Sequence, residues 1–342
     1  MRSRHMSGAG WRRAPRLLSG VLAAVLAVTA CSGDEEAPQP SPDDDGGGGS
    51  KPTAVWPFTG LPAPGALPAH RAALVKIDNS TSSDPQVGLA AAALVVEELV
   101  EGGLTRLAAF YYSTLPKEVG PVRSMRATDI GIVASTGAAL VASGAAPQTE
   151  ARVRQARIET VKEGGPGYHR AGDRAAPYNL FMDLRQLGKA PVMKGKRPAP
   201  YLPWGKAKKL TGGKPAKQIS VQFSGGSVTE WKWGGGSWRR ATGYAAEGDD
   251  FTPANVLALR VQVTDAGYLD PAGNPVPESV FAGKGPATLF TGGKAYKGTW
   301  RKSGPDGRLS LRSAKGRPMP VPAGKTWIEL VPKSGGDVRY SR

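Results

Sequence analysis

The residues best suited to chemistry lie in the stretch 97–126, EELVEGGLTRLAAFYYSTLPKEVGPVRSMR. Arg106 closes one glycine-bearing turn, GGLTR, and Arg123 and Arg126 close a second, GPVRSMR, with a strand-like run over 107–112 between them. An arginine held beside a turn of specified backbone presents a fixed planar fork, which suits carboxylate or phosphate oxygens. Acidic residues bracket the set: Glu98 and Glu101 precede it, Asp129 follows Arg126, and Asp78 with Asn79 ends an upstream apolar run over 72–77. Carboxylates, an amide and arginines together describe an anion site, or a metal-assisted phosphate site if magnesium joins the carboxylates. The same residues also describe a structural ion-pair lattice, with Glu98 or Glu101 on Arg106 and Asp129 on an arginine, since such networks mimic functional sites. Arg174 and Asn179, within RAAPYN, make a second candidate patch or a plain loop leading into Leu180 and Phe181.

Other chemistries find no support. The three histidines, His5, His70 and His169, are scattered, and the one cysteine, Cys31, cannot form an intramolecular disulfide or a cysteine-based zinc site. No Gly-x-Ser-x-Gly elbow occurs. Gly324-Lys325-Thr326 resembles the end of a P-loop, but Met319 stands where the first glycine is required and a strand follows.

The N-terminus reads as an export leader over 1–30: Arg2, Arg4, Arg12, Arg13 and Arg16 precede an apolar run over 17–28 that is too short to span a membrane. Val28-Thr29-Ala30-Cys31 resembles the bacterial lipobox, so Cys31 is the expected site of lipidation. Two or more acyl chains there would anchor the protein durably to the outer face of the cytoplasmic membrane. A Pro-, Gly- and acid-rich spacer follows over 31–55. With five arginines in the leader and six acids in the spacer set aside, 40 Lys and Arg outweigh 22 Asp and Glu from Lys51 onward, an excess of 18. Outside the membrane such charge suits lipid-linked phosphates or phosphate-bearing glycopolymers. No aromatic-interleaved basic motif or recognition helix points to nucleic acid.

These residues need a frame to position them. The apolar run 72–77 reads as a strand; Asp84-Pro85 reads as an N-cap with proline at the first helical position, opening a helix over 87–101. On that helix Glu97 and Glu101 share a face, with Glu98 about 100° away. A strand over 104–112 would complete a right-handed parallel crossover. A helix from near Ser124 through Val133, a strand over 138–143 and a basic helix over 149–155 follow. The expected architecture is an α/β domain with a mainly parallel or mixed sheet over 56–190, a basic linker over 191–217, and a mostly antiparallel β domain over 218–342. In the latter, Gly292-Gly293 marks a hairpin, 326–331 reads as the last strand, and Trp231, Trp233 and Trp238 fill a core or face a glycan ring.

The motifs VKIDN (75–79), EELVEGGLTR (97–106), VGPVRSMR (119–126) and APYNLF (176–181) resemble those of the YerB-like bacterial lipoproteins, a family of unknown function with N-terminal and C-terminal conserved domains. The resemblance covers nearly everything after the spacer and implies the two-part division and the lipid anchor, but no activity. The family pattern has histidine where this chain has Tyr178, which removes a general base there. The order of arginines is similar in outline to that of LytR-type glycopolymer ligases, by analogy alone. Two functions are therefore expected to compete. The first is a binding lipoprotein that holds an anionic envelope ligand or a partner protein through the arginine and acid cluster. The alternative is a metal-dependent phosphotransferase or hydrolase acting on lipid-linked pyrophosphate, with Asp78 and Asp129 as magnesium ligands.

Overall fold

The computed structural model describes residues 54–342; the expected leader, Cys31 and most of the acidic spacer lie outside the described residues. The N-terminal region contributes strands β1 (Ala73–Asp78), β2 (Leu94–Leu99), β3 (Thr105–Tyr111), β4 (Ala139–Val141), β5 (Thr160–Val161), β6 (Tyr168–Arg170) and β7 (Leu180–Met182). Its helices are short: α1 (Thr128–Val133), α2 (Pro147–Gln155) and α3 (Leu184–Gly188). The C-terminal region adds β8 (Lys214–Pro215), β9 (Gln218–Gln222), β10 (Val228–Gly234), β11 (Ser237–Arg240), β12 (Asn255–Leu269) and β13 (Pro275–Val280). It ends with β14 (Gly283–Thr291), β15 (Lys294–Lys302), β16 (Ser310–Ser313), β17 (Thr326–Pro332) and β18 (Asp337–Ser341). The N-terminal region is thus a mixed sheet with few helices and the C-terminal region is mostly antiparallel, as the sequence predicts.

One large sheet draws on both regions in the order β16-β15-β14-β12-β17-β2-β3-β1-β4-β5. The pairs β12/β17, β17/β2, β1/β4 and β4/β5 are parallel, whereas β2/β3 and β1/β3 are antiparallel. Strands β1, β3 and β17 are buried along their whole length, so both of their faces meet protein. That burial explains why they read as continuous apolar runs instead of alternating ones. Leu74, Val96, Ala108 and Phe110 face one core, which also takes in Phe58, Tyr201 and apolar residues of α1 and α2. Val75, Val95, Ala109 and Tyr111 face the other, beneath the four-stranded sheet β11-β10-β9-β18. Trp231 and Trp238 of that small sheet are fully buried, so they are core residues and not a glycan platform.

The helix expected over 87–101 is a correction. Its second half is β2, clamped between β17 and β3, and its alanines form only a short 3-10 turn, Leu89–Ala91. An apolar run of this length fits a buried strand as well as a helix, and partners distant in sequence decide between them. The parallel crossover falls with it, because β1 and β3 pair antiparallel. Asp84-Pro85 is a cis peptide and no helix starts there. β18 follows β17, so 326–331 is not the last strand.

Gly88 shows how firmly the start of this segment is held. It has φ +81°, and a Cβ there would lie 2.3 Å from the carbonyl oxygen of Glu118. Gly88→Ala is expected to lower stability by about 1–3 kcal/mol in urea unfolding. A change below 0.5 kcal/mol would show that the turn relaxes freely.

Candidate functional site

Strand register builds the site. Asp78 of β1 and Glu98 of β2 both stand directly opposite Arg106 of β3, so the three lie in one row on the face that carries α1. Past the end of β4, the segment 119–123 takes over the free edge of β1: the Asp78 N–H donates to the Pro121 carbonyl at 3.0 Å and the Arg123 N–H to the Lys76 carbonyl at 2.9 Å. Gly120 permits this approach, since a Cβ there would fall 2.6 Å from the Phe181 ring. Arg123 is thereby delivered to the end of the row.

Glu101 is the hub of one half of the cluster. Arg126 Nε donates to its Oε2 at 2.8 Å, Arg126 Nη2 to its Oε1, and Arg106 Nη2 to the same Oε1 at 3.0 Å. Burial alone would raise this carboxyl, but the Arg126 hydrogen bond and the charges of both arginines outweigh it and hold it at about 2. Arg106 is pulled down to about 10, by burial first and then by the charge of Arg126. Its Nη1 donates to the Ser124 carbonyl at 3.0 Å. Both guanidinium groups are therefore spent on protein oxygens.

Behind them Lys76, Glu98 and Asp129 are all fully buried. The Lys76 ammonium contacts Glu98 Oε1 and lies 2.8 Å from Asp129 Oδ1. Asp129 Oδ2 accepts the backbone N–H of Arg126 at 2.7 Å, just before the start of α1. Burial and the neighbouring Asp129 charge raise the Glu98 carboxyl to about 7, against the opposing pull of Lys76. This half is an ion-pair lattice whose partner is a lysine, where an arginine was expected.

Arg123 differs from the rest. Its Nε lies 2.8 Å from Asp78 Oδ2, without a well-directed hydrogen bond, and its guanidinium carbon sits 5.1 Å from the centre of the Tyr178 ring. Among the described residues its two terminal nitrogens have no hydrogen-bond or ion-pair partner. Asp78 Oδ1 is occupied by the Ser80 N–H at 2.8 Å and the Ser80 hydroxyl at 2.5 Å. Arg123, Tyr178 and Ser80 line a cleft of about 270 Å³, together with Asp78, Glu101 and Arg106.

Several expected residues lie elsewhere. Asn79 points to the opposite face of the sheet, donating to Glu97 at 3.1 Å and to Thr105 at 2.8 Å. Arg174 stacks 5.2 Å from the Phe181 ring and donates to the Pro85 carbonyl, and Asn179 accepts from Arg170 and donates to the Ala171 carbonyl. Neither lines the cleft. Asp270 and Asn274 do line it, from the turn between β12 and β13. DPAGN is legible as a turn, but its approach to Arg123 is not legible in sequence. Asp78 and Asp129 do not make a shared donor set, since each is already engaged by a cation. Among the described residues no three His, Asp or Glu side chains converge to hold a metal.

Comparison with known proteins agrees with this architecture. The family described as "Protein of unknown function (DUF3048) N-terminal domain" matches residues 58–197, and the corresponding C-terminal domain matches residues 219–328. The chain is 26% identical over 293 residues to "Putative lipoprotein YerB" of Bacillus subtilis, covering 81% of this chain and 86% of that protein. The crystal structure of YerB from Bacillus subtilis superposes with a TM-score of 0.70 at 20% identity, covering 84% of this chain and 99% of that one. At that identity the likeness establishes the fold.

Proposed function

From the premise that the chain belongs to the DUF3048 family of proteins of unknown function, we propose that it is an envelope lipoprotein that binds a small phosphate-bearing group in the Arg123 cleft. The lipoprotein part rests on the Val28-Thr29-Ala30-Cys31 order and on similarity to a protein that itself carries the name of a lipoprotein. Attachment to the outer face of the membrane would be through lipid on Cys31; among the described residues no helix is long and apolar enough to cross a membrane.

One observation carries the binding reading: among the described residues Arg123 alone in its cluster keeps terminal nitrogens without a protein partner, at the wall of a cleft. Asp78 fixes its Nε side and Tyr178 its plane, so little side-chain freedom is lost when an anion arrives. The cleft's volume suits a headgroup more than a polymer. Asp78, Glu101 and Asp270 would disfavour a bulky polyanion there.

The full chain in detergent, titrated calorimetrically with inorganic pyrophosphate and with glycerol 3-phosphate, tests this. Arg123→Ala is expected to weaken binding by tenfold to a hundredfold, the usual range for one charge-assisted hydrogen-bonding group, and Arg123→Lys by less. Binding should be the same with and without magnesium. Absence of binding by the wild type, or equal binding by Arg123→Ala, would sink the reading, and an absolute magnesium requirement would revive the metal-assisted alternative.

A further inference from the structure

From Lys51 onward the chain carries a large positive excess, and one basic surface lies far from Arg123 in sequence, along β15. β15 is bordered along one edge by β14 over its whole length. Along its other edge β8 pairs with Lys294 and Ala295, and β16 with residues 298–301. Tyr296 and Lys297 are left uncovered between them. Two adjoining hollows of about 290 and 260 Å³ open at this gap and share Thr211, Lys297, Ser313 and Arg317.

Lys209, Lys214, Lys297, Lys315 and Arg317 line the combined trough, and all five are exposed. Among the described residues no Asp or Glu lines either hollow. None of the five cations enters an ion pair among the described residues. Like charges gathered without counter-charge repel one another, and a bound polyanion relieves that repulsion while releasing its own counterions. The elongated, concave shape takes a chain; a bilayer surface is flat and would meet only the rim.

The aromatic residues narrow the chemistry. Single-stranded nucleic acid needs open ring faces on which bases stack. The Tyr340 ring has Lys297 5.8 Å from its centre and Phe290 edge-on at 5.5 Å. Gly213 packs against the Tyr296 ring so closely that a Cβ there would lie 2.6 Å from it. Both rings are thus already partly covered by protein. We propose that this trough is a second binding site, for a linear chain of phosphodiester-linked sugars or polyols, held by its phosphates on the five cations. The inference does not depend on the Arg123 cleft, which is partly acidic.

The test uses the full chain in detergent and a synthetic glycerol phosphate decamer, with single-stranded DNA and phosphatidylglycerol vesicles as competing ligands. The triple variant Lys214→Ala, Lys315→Ala, Arg317→Ala changes only exposed side chains, and its fold is checked by its melting temperature. It is expected to bind the decamer at least tenfold more weakly than the wild type and with a shallower salt dependence. Pyrophosphate binding by the triple variant should be unchanged, so a failure here and a failure of the cleft are read separately. No decamer binding by the wild type, or unchanged binding by the triple variant, overturns the proposal. So does equal or tighter binding of DNA or vesicles through the same three residues.

Discussion

Lys76→Met is expected to destabilise the fold by about 3–5 kcal/mol at pH 8, because it leaves Glu98 and Asp129 as buried carboxylates without their shared cation. The cost should depend on pH in a definite direction. Glu98 has its carboxyl raised to about 7 in the fold, so between its ordinary value and 7 the folded state keeps a proton that the unfolded state has lost. Its contribution to stability is therefore present at low pH and declines as pH rises toward 7. Removing Lys76 removes the group that opposes this shift, so the penalty should grow from pH 5 to pH 8. Urea unfolding of the two proteins at both pH values measures this. A difference below 1 kcal/mol at pH 8, or one that shrinks as pH rises, would mean that the buried lysine does not hold the carboxylates. Adding Glu98→Gln to Lys76→Met should recover part of the loss.

The second large effect has the opposite sign with pH. Glu101→Ala strips the counter-charge from Arg106 and Arg126 together and is expected to lower stability by about 2–4 kcal/mol at pH 7. The Glu101 carboxyl is held at about 2 by those arginines against the effect of burial, so its contribution is complete above the ordinary glutamate value and is lost as pH falls toward 2. With only 13% of the side chain exposed, little discount for solvent screening applies. The gap between wild type and variant should thus narrow by about 2–3 kcal/mol between pH 7 and pH 2. A gap that stays constant over this range would show that Glu101 contributes by packing and not by charge.

These two predictions concern residues with different legibility. Glu101, Arg106 and Arg126 lie within 26 positions of one another, flank glycine-bearing turns and could be grouped from sequence. Lys76 could not, because it sits in an apolar run that reads simply as a strand, and its carboxylate partners lie 22 and 53 positions away. Glu97 and Glu98 illustrate the same limit. On the expected helix they would have stood on nearby faces; on β2 alternation sends Glu97 to one core and Glu98 to the other. Asp270 and Asn274 enter the cleft from a hairpin turn in the C-terminal region.

By itself the sequence determined the class of each region, the strand-and-turn rhythm of the second, the hairpin at Gly292-Gly293, and the grouping of arginines with acids near 97–129. Period, turn residues and charge are local properties, and local properties survive in a linear string. Only the tertiary structure decided which arginine keeps unpartnered nitrogens among the described residues. That outcome depends on strand register: the antiparallel pairings of β1 and β2 with β3 set Asp78 and Glu98 on either side of Arg106, Glu101 takes up Arg106 and Arg126, and Glu98 with Asp129 takes up Lys76. A long apolar stretch fits a helix or a doubly buried strand equally well, so β2 was settled by the neighbours it packs between, β17 and β3.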